Sequence, residues 1–204
     1  MFQSSSYYEY CNILEQSPIQ LVIEAFNSSY LEIQNWCTRL LIGIIADSHD
    51  NLPMVEKAVE KLNSAKVALV LHAGDYIAPF VIPKFKGLNA KLIGVFGNND
   101  GDLEFLKKRF SECENCEVRG RFAIINADGF KIALLHGDEP DLLEALINYG
   151  GFDAVVHGHS HATGSEKIGK TLVVNSGEVC GYLTGKSTIA LLDTVKREVK
   201  ITEL

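Results

Sequence analysis

The chain has 204 residues, 47% of them hydrophobic and 22% charged, which suits one globular domain or one domain with an appendage. No apolar run reaches the length of a membrane span, "MFQSSSYYEY" is not a secretion signal, and the net charge of −7 excludes non-specific tracking of a nucleic-acid backbone. The five cysteines lack framework spacing, so we expect a cytoplasmic, mostly reduced protein with no membrane segment.

Residues 1–39 differ from the rest of the chain and are predicted to be a helical extension. Ser17 and Pro18 have the order of a helix N-cap and a first helical residue, and Ser29 and Glu32 have the spacing of a capping box. The segment carries no candidate active-site cluster. It is either an appendage that docks on the body or on a partner subunit, or the product of a start codon assigned too far upstream.

From Leu40 the hydrophobic pattern alternates between buried strands and amphipathic helices. The predicted strands are "LLIGIIA", "VALVLHA" and "AKLIGVF", and the predicted helices are "LPMVEKAVEKLN", a short one from Ile77 to Phe85, and "DLEFLKKRF". Strands that alternate with helices in this way are typical of parallel strands joined by crossovers.

The second half of the chain is richer in strands. "RFAIIN" and "FKIALLH" flank a hairpin turn at Asp128-Gly129, helix "PDLLEALINYG" leads to strand "DAVVH", and "GSEKIGKTLVVN", "STIALLD" and "REVKITEL" supply further strands. The one CxxC pair, Cys113 and Cys116, is at most half of a zinc site. We therefore predict an α/β fold over residues 40–204, a four-layer α/β/β/α sandwich of two mixed sheets with helices outside.

Polar side chains follow the predicted strands at the points where the strands end, which is where open α/β sheets gather binding groups. Seven side chains share this placement: Asp47, His49, Asp75, Asn98, His136, His159 and His161. Each one alone has an ordinary structural explanation as a helix cap, a turn residue or a core histidine. Together they are carboxylates, imidazoles and one amide, the ligands of divalent Mn, Fe, Ni, Co or Zn, and the lack of a thiolate disfavours a structural zinc site.

The stretch "VVHGHSH" places His157, His159 and His161 at alternate positions, which a continuing strand would put on one face. The pattern itself does not decide whether all three bind metal.

The ordered blocks "DSH", "GD", "GNND", "HG" and "GHSH" resemble those of the calcineurin-like metallophosphoesterases. The likeness covers residues 40–204 and is greatest to the small single-domain archaeal and bacterial phosphodiesterases. It implies two mixed sheets between helical layers. It also implies that Asp47, His49 and His161 hold one metal ion, that Asn98, His136 and His159 hold another, and that Asp75 bridges the two. His157 matches no ligand position.

The resemblance implies hydrolysis of small phosphodiesters, with a hydroxide held by two divalent ions as the nucleophile. Mn or Ni are the expected ions, with Fe, Co or Zn as alternatives. Asn98, Asn99 and Asp100 are the candidate catalytic residues. Asn99 stands where many relatives carry a histidine that protonates the leaving group, so His72, a bound water or a metal would have to take over that role.

Several alternatives stay open on the sequence alone. The same site suits a phosphomonoesterase or nucleotidase, and some proteins of this fold are non-catalytic scaffolds. The glycine-rich stretch "NSGEVCGYLTG" is either a loop that shapes the substrate pocket or a tight connection between strands. A homo-oligomer is also left open.

Overall fold

The computed structural model describes residues 40–204, and the helical prediction for residues 1–39 lies outside this range. The described strands are β1 (Leu41–Ile45), β2 (Leu69–His72), β3 (Lys91–Gly94), β4 (Cys116–Val118), β5 (Phe122–Ala127), β6 (Phe130–Leu135), β7 (Ala154–His157), β8 (Thr163–Ile168), β9 (Thr171–Ser176), β10 (Thr188–Asp193) and β11 (Glu198–Glu203). The described helices are α1 (Leu52–Ser64), α2 (Leu103–Ser111), α3 (Pro140–Tyr149) and a 3-10 helix (Ile82–Gly87).

The strands form two mixed sheets. The first sheet has the order β11-β10-β1-β2-β3-β4, and β1 to β4 run parallel to one another. The second has the order β5-β6-β7-β9-β8, and β6, β7 and β9 run parallel. The carboxyl ends of neighbouring parallel strands therefore meet along one edge of each sheet.

Apolar side chains fill the space between the two sheets and bind the helices to their outer faces. Ile42 and Ile44 of β1 share the central core with Ile132 and Leu134 of β6. Helices α1 and α2 and the 3-10 helix pack on the first sheet, while α3 packs on Val155 of the second. The predicted four-layer sandwich is confirmed.

The start of helix α1 and its buried face both follow from the local sequence. It begins after Asn51, whose side chain accepts the Met54 N–H at 3.4 Å, and Pro53 stands in its first turn. Its buried residues recur at helical spacing and pack on the first sheet: Val55, Ala58, Val59 and Leu62. The cap places the helix start directly behind the loop that carries His49.

The segment after β2 differs from the prediction. A helix was expected from Ile77 to Phe85, but the observed 3-10 helix starts only at Ile82. The reason is that Ile77 has a left-handed φ of 79°, which a right-handed helix excludes, and its carbonyl accepts the Gly101 N–H at 3.1 Å instead of an N–H of a following helical turn.

Strand β4 was missed because it has three residues and lies among charged ones. It pairs in parallel with β3, with Leu92 opposite Cys116.

Contrary to the expectation of reduced thiols, Cys116 is joined to Cys113 by a disulfide. The turn after α2 brings the two residues together, since the Cys116 N–H bonds to the Cys113 carbonyl at 2.9 Å.

No helix within residues 40–204 is long and apolar enough to cross a membrane.

Candidate metal centre

The predicted ligand side chains are brought together by abrupt backbone turns at the strand ends. Five of them have left-handed φ angles: Asp47 (51°), His49 (40°), Asp75 (61°), His159 (67°) and His161 (58°). This conformation costs a non-glycine residue on the order of 1–2 kcal/mol, so other contacts must hold it. The Asp47 N–H bonds to the Gly74 carbonyl at 3.0 Å and the His49 N–H bonds to the Asp75 carbonyl at 3.1 Å.

Two glycines allow these turns to approach one another. A Cβ on Gly97 would lie 2.0 Å from Asp75 Oδ1. A Cβ on Gly158 would lie 2.7 Å from the Ala46 Cβ and 2.8 Å from Asp47 Oδ2. Both glycines are thus required for the carboxylates to fit.

The first cluster joins residues that follow β1 with one that follows β7, in the other sheet. Asp47 is fully buried, and its Oδ1 lies 3.6 Å from His161 Nε2 and 3.9 Å from His49 Nε2. The rings of His49 and His161 have centroids 5.0 Å apart. Asp47, His49 and His161 therefore face one small volume between the two sheets.

The second cluster contains His136, Asn98 and His159. The Nδ1–H of His136 donates to the Ala73 carbonyl at 2.8 Å, so Nε2 is the nitrogen that faces Asn98 Oδ1 at 3.0 Å. The rings of His136 and His159 have centroids 5.1 Å apart. Two ligand atoms that each lie about 2.1 Å from a cation, at right angles to one another, are roughly 3 Å apart. The 3.0 Å between His136 Nε2 and Asn98 Oδ1 therefore fits two ligands of one ion.

Asp75 lies between the two clusters. Its Oδ2 is 3.4 Å from the Nε2 of His49 and 3.4 Å from the Nε2 of His136. Asn99 donates its backbone N–H to Oδ1 at 2.9 Å and its side-chain amide to Oδ2 at 2.8 Å. Burial alone would raise the pKa of Asp75, but His136 and Asn99 hold it well below its usual range. The carboxylate is therefore charged.

The charge of Asp75 also affects the pKa values of His49 and His136 beside it. The pKa of His49 is raised, chiefly by Asp47 and further by Asp75, against the opposing effect of burial. Burial alone would lower the pKa of His136, but Asp75 and the Ala73 carbonyl raise it overall. A cation bound here would have to displace protons from these rings.

Two buried atoms of the first cluster have no hydrogen-bond partner among residues 40–204, namely Asp47 Oδ1 and His49 Nε2. Such atoms cost free energy unless something else binds them, and a divalent cation does so. Ligand atoms of Asp47, His49 and Asp75 lie within 4.8 Å of one another. The donor set fits a divalent metal.

Cys180 was not predicted to lie at the site. Its sulfur is within 4.8 Å of ligand atoms of His49 and His161. Its thiol donates to Glu178 at 2.9 Å, and burial, reinforced by that carboxylate, raises the pKa of Cys180 to about 12. The position of Cys180 in the glycine-rich stretch before β10 is the only sequence signal that points to it.

Asp100 has a different environment from the seven clustered residues. Its carboxylate accepts backbone N–H groups on two loops: those of Tyr76 (2.6 Å), Gly97 (2.7 Å), Ile77 (2.9 Å) and Asp75 (3.2 Å). Burial raises the pKa of Asp100, and the N–H groups oppose that rise. The contacts fasten the loop after β2 to the loop after β3.

His72 and His157 belong to neither cluster. His72 is fully buried, its Nδ1 accepts the Gly74 N–H at 3.1 Å, and burial lowers its pKa to about 3. It is therefore neutral and inaccessible, which argues against a role as a general acid. His157 is half-buried, and burial lowers its pKa too. It lines a separate cavity of about 430 Å³ with Ser160 and Asn175.

Two mixed sheets with carboxylate, imidazole and amide groups gathered at their strand ends form a candidate metal-binding site. The model of the calcineurin-like phosphoesterase superfamily domain matches residues 40–197, and the chain belongs to this superfamily.

The chain is 41% identical over 159 residues to Phosphodiesterase MJ0936 of Methanocaldococcus jannaschii, covering 78% of this chain and 96% of that protein. A solved structure described as a novel archaeal phosphodiesterase has a TM-score of 0.78 at 40% identity, covering 81% of this chain and all of the other. Vps29 of Chaetomium thermophilum shares the fold alone, with a TM-score of 0.60 at 18% identity over 81% of this chain and 97% of its own.

Replacing Asp100 by alanine should lower the free energy of unfolding by about 2–4 kcal/mol, since four backbone N–H groups lose a charged acceptor. Urea denaturation of the metal-free protein measures this. Asp102→Ala is the matched control, because the Asp102 side chain accepts the Phe105 N–H at 3.0 Å as an exposed helix cap, and its loss should cost about 1 kcal/mol. Equal losses for the two variants would show that Asp100 does not hold the loops together.

Proposed function

We propose that this chain is a phosphodiesterase that uses two divalent metal ions. Asp47, His49 and His161 would hold one ion, Asn98, His136 and His159 the other, and Asp75 would bridge them. The observation that carries the proposal is that two histidine ring pairs flank one buried carboxylate oxygen, Asp75 Oδ2, 3.4 Å from a ring nitrogen on each side. The similarity to a protein named as a phosphodiesterase supports the reaction class.

Two bound divalent cations would supply a water of lowered pKa and would neutralise the charge on the phosphoryl group. Residues of the protein would orient the cations and the phosphoryl group. The Asp75 carboxylate, held by Asn99, is fixed in place between the clusters. The Asn98 amide NH₂ is free to donate to a phosphoryl oxygen while its Oδ1 faces His136.

The proposed ligands indicate which ions would bind, and the similarity to a named phosphodiesterase indicates the substrate. Only nitrogen and oxygen atoms are among the proposed ligands, which favours Mn or Ni, with Fe, Co or Zn as alternatives. The substrate proposed is a small phosphodiester, and the relative from Methanocaldococcus jannaschii is named as a phosphodiesterase. The division into residues 1–39 and a phosphoesterase domain from residue 40 is supported by the start of the family match at residue 40. A cytoplasmic location and a homo-oligomer stay predictions.

Chelation should abolish hydrolysis of an aryl phosphodiester, and Mn or Ni should restore it, because the clusters have no other source of nucleophile activation. The rates on an aryl diester and an aryl monoester, with bound metal measured by mass spectrometry, test this. We expect the diester to be the better substrate. Full activity in chelated protein that retains no metal would contradict the mechanism, and a preference for the monoester would instead make it a phosphomonoesterase.

His161→Ala and His159→Ala should each lower activity by more than about 100-fold, because even outer partners of metal ligands are worth 10–100-fold. His157→Ala is the control from the same stretch and should retain most activity, since this ring lies outside both clusters. Activity and bound metal should be measured together for all three. If His157→Ala were the most damaging, the proposed assignment of these histidines would be wrong.

Asn99 has no titratable group, and its amide donates to Asp75 Oδ2 instead. With no acid at this position and His72 buried and neutral, we expect the rate to depend steeply on leaving-group pKa, with aryl esters cleaved far faster than alkyl esters. Asn99→His should flatten that dependence. It should also add a falling alkaline limb to the pH profile, since imidazolium is lost as the pH rises through about 6.5.

The test measures hydrolysis of a series of diesters with different leaving-group pKa values by the wild type, Asn99→His and Asn99→Ala. Asn99→Ala is the control, because it removes the bond to Asp75 without adding an acid. Equal slopes for the wild type and Asn99→His would mean that position 99 is not the place of a missing acid.

A further inference from the structure

Glu178 is the one buried carboxylate behind the first cluster that the family blocks do not include. It follows β9 in the stretch "NSGEVCGYLTG" and is fully buried. Its Oε2 lies 2.7 Å from His161 Nδ1, on the side of the ring opposite Asp47.

The Glu178 carboxylate is saturated with donors besides His161. They are the N–H groups of Tyr182, Leu183 and Thr184, the Thr184 hydroxyl and the Cys180 thiol. Burial alone would raise the pKa of Glu178, but the Cys180 thiol, His161 and Thr184 hold it at about 2. The side chain is therefore a fixed negative charge.

This charge decides which nitrogen of His161 carries the proton. A carboxylate only accepts hydrogen bonds, so the hydrogen must lie on Nδ1. The lone pair is then on Nε2, the nitrogen that lies 3.6 Å from Asp47 Oδ1 in the first cluster. A charged acceptor behind an imidazole also makes the other nitrogen a stronger metal ligand.

The two clusters differ in this respect. The Nδ1–H of His136 donates to the neutral carbonyl of Ala73, whereas that of His161 donates to a carboxylate. Of these two rings, His161 is therefore the one whose Nδ1 partner is a side chain that substitution can remove.

We propose that Glu178 is a positioning residue that fixes the tautomer and orientation of His161 for metal binding, an inference that rests on the proposed two-metal function. The same carboxylate ties the turn at residues 182–184 to the metal ligand. Oε1 takes both contacts from Thr184, whereas Oε2 takes the contact from His161 together with the N–H groups of Tyr182 and Leu183.

The test is Mn²⁺ titration by calorimetry on the full chain, together with the long-range ¹H–¹⁵N spectrum of the histidine rings in metal-free protein at about pH 8, where free imidazoles are neutral. The variants are Glu178→Gln and the matched control Thr184→Val, which removes a 2.7 Å bond to the other carboxylate oxygen. His161→Ala assigns the ring signals.

In the wild type we expect two equivalents of Mn²⁺ and the Nδ1–H form of His161. In Glu178→Gln a neutral amide replaces the charged acceptor, so the preference for the Nδ1–H tautomer should weaken and one of the two equivalents should bind about 10–100-fold more weakly. Thr184→Val should keep the wild-type tautomer and affinities even if its melting temperature falls.

Three results would overturn the inference while leaving the two-metal proposal intact. They are an Nε2–H tautomer in the wild type, an unchanged affinity in Glu178→Gln, or an equal loss in Thr184→Val, which would mean that the carboxylate only holds the turn. A wild type that binds no Mn²⁺ would instead overturn the proposed function itself. If Glu178→Gln fails to fold, the wild-type tautomer and the Thr184→Val titration still decide the question.

Discussion

The burial of the charged Asp75 carboxylate is the constraint on which the rest of the site depends. An ionised carboxylate removed from water costs several kcal/mol unless nearby donors and cations compensate it. Asn99 supplies two hydrogen bonds, and the ring nitrogens of His49 and His136 approach the same oxygen from the two sheets. The sandwich fold matters here because it brings the strand ends of two sheets to one point, which a single sheet would not do.

The backbone around Asp75 stores strain that other contacts must hold. Asp47, His49 and Asp75 all have left-handed φ angles, and a stability-optimised loop would avoid them. Asp100 and the small volume of Gly97 keep the two loops closed on the carboxylate. The hydrogen bonds of Asp100 thus hold these strained turns in place.

Much of this arrangement could be predicted from the sequence, because buried strands are apolar runs and the polar groups directly follow them. The four layers, the hairpin at Asp128-Gly129 and the gathering of the seven side chains at the strand ends follow from that pattern. Glu178 and Asp100 could not be understood in this way, since their roles depend on which backbone N–H groups the fold turns toward them. Strand β4 and the delayed 3-10 helix were missed for the same reason: tertiary hydrogen bonds decide them, not local propensity.

Anomalous diffraction from crystals of the wild-type protein soaked in Mn²⁺ tests the central claim most directly, because it locates the ions without relying on activity. The account predicts two peaks about 3.5–4 Å apart on either side of Asp75, one beside His49 and His161 and the other beside His136 and His159. A single peak, or two peaks that do not both contact the Asp75 carboxylate, would contradict it.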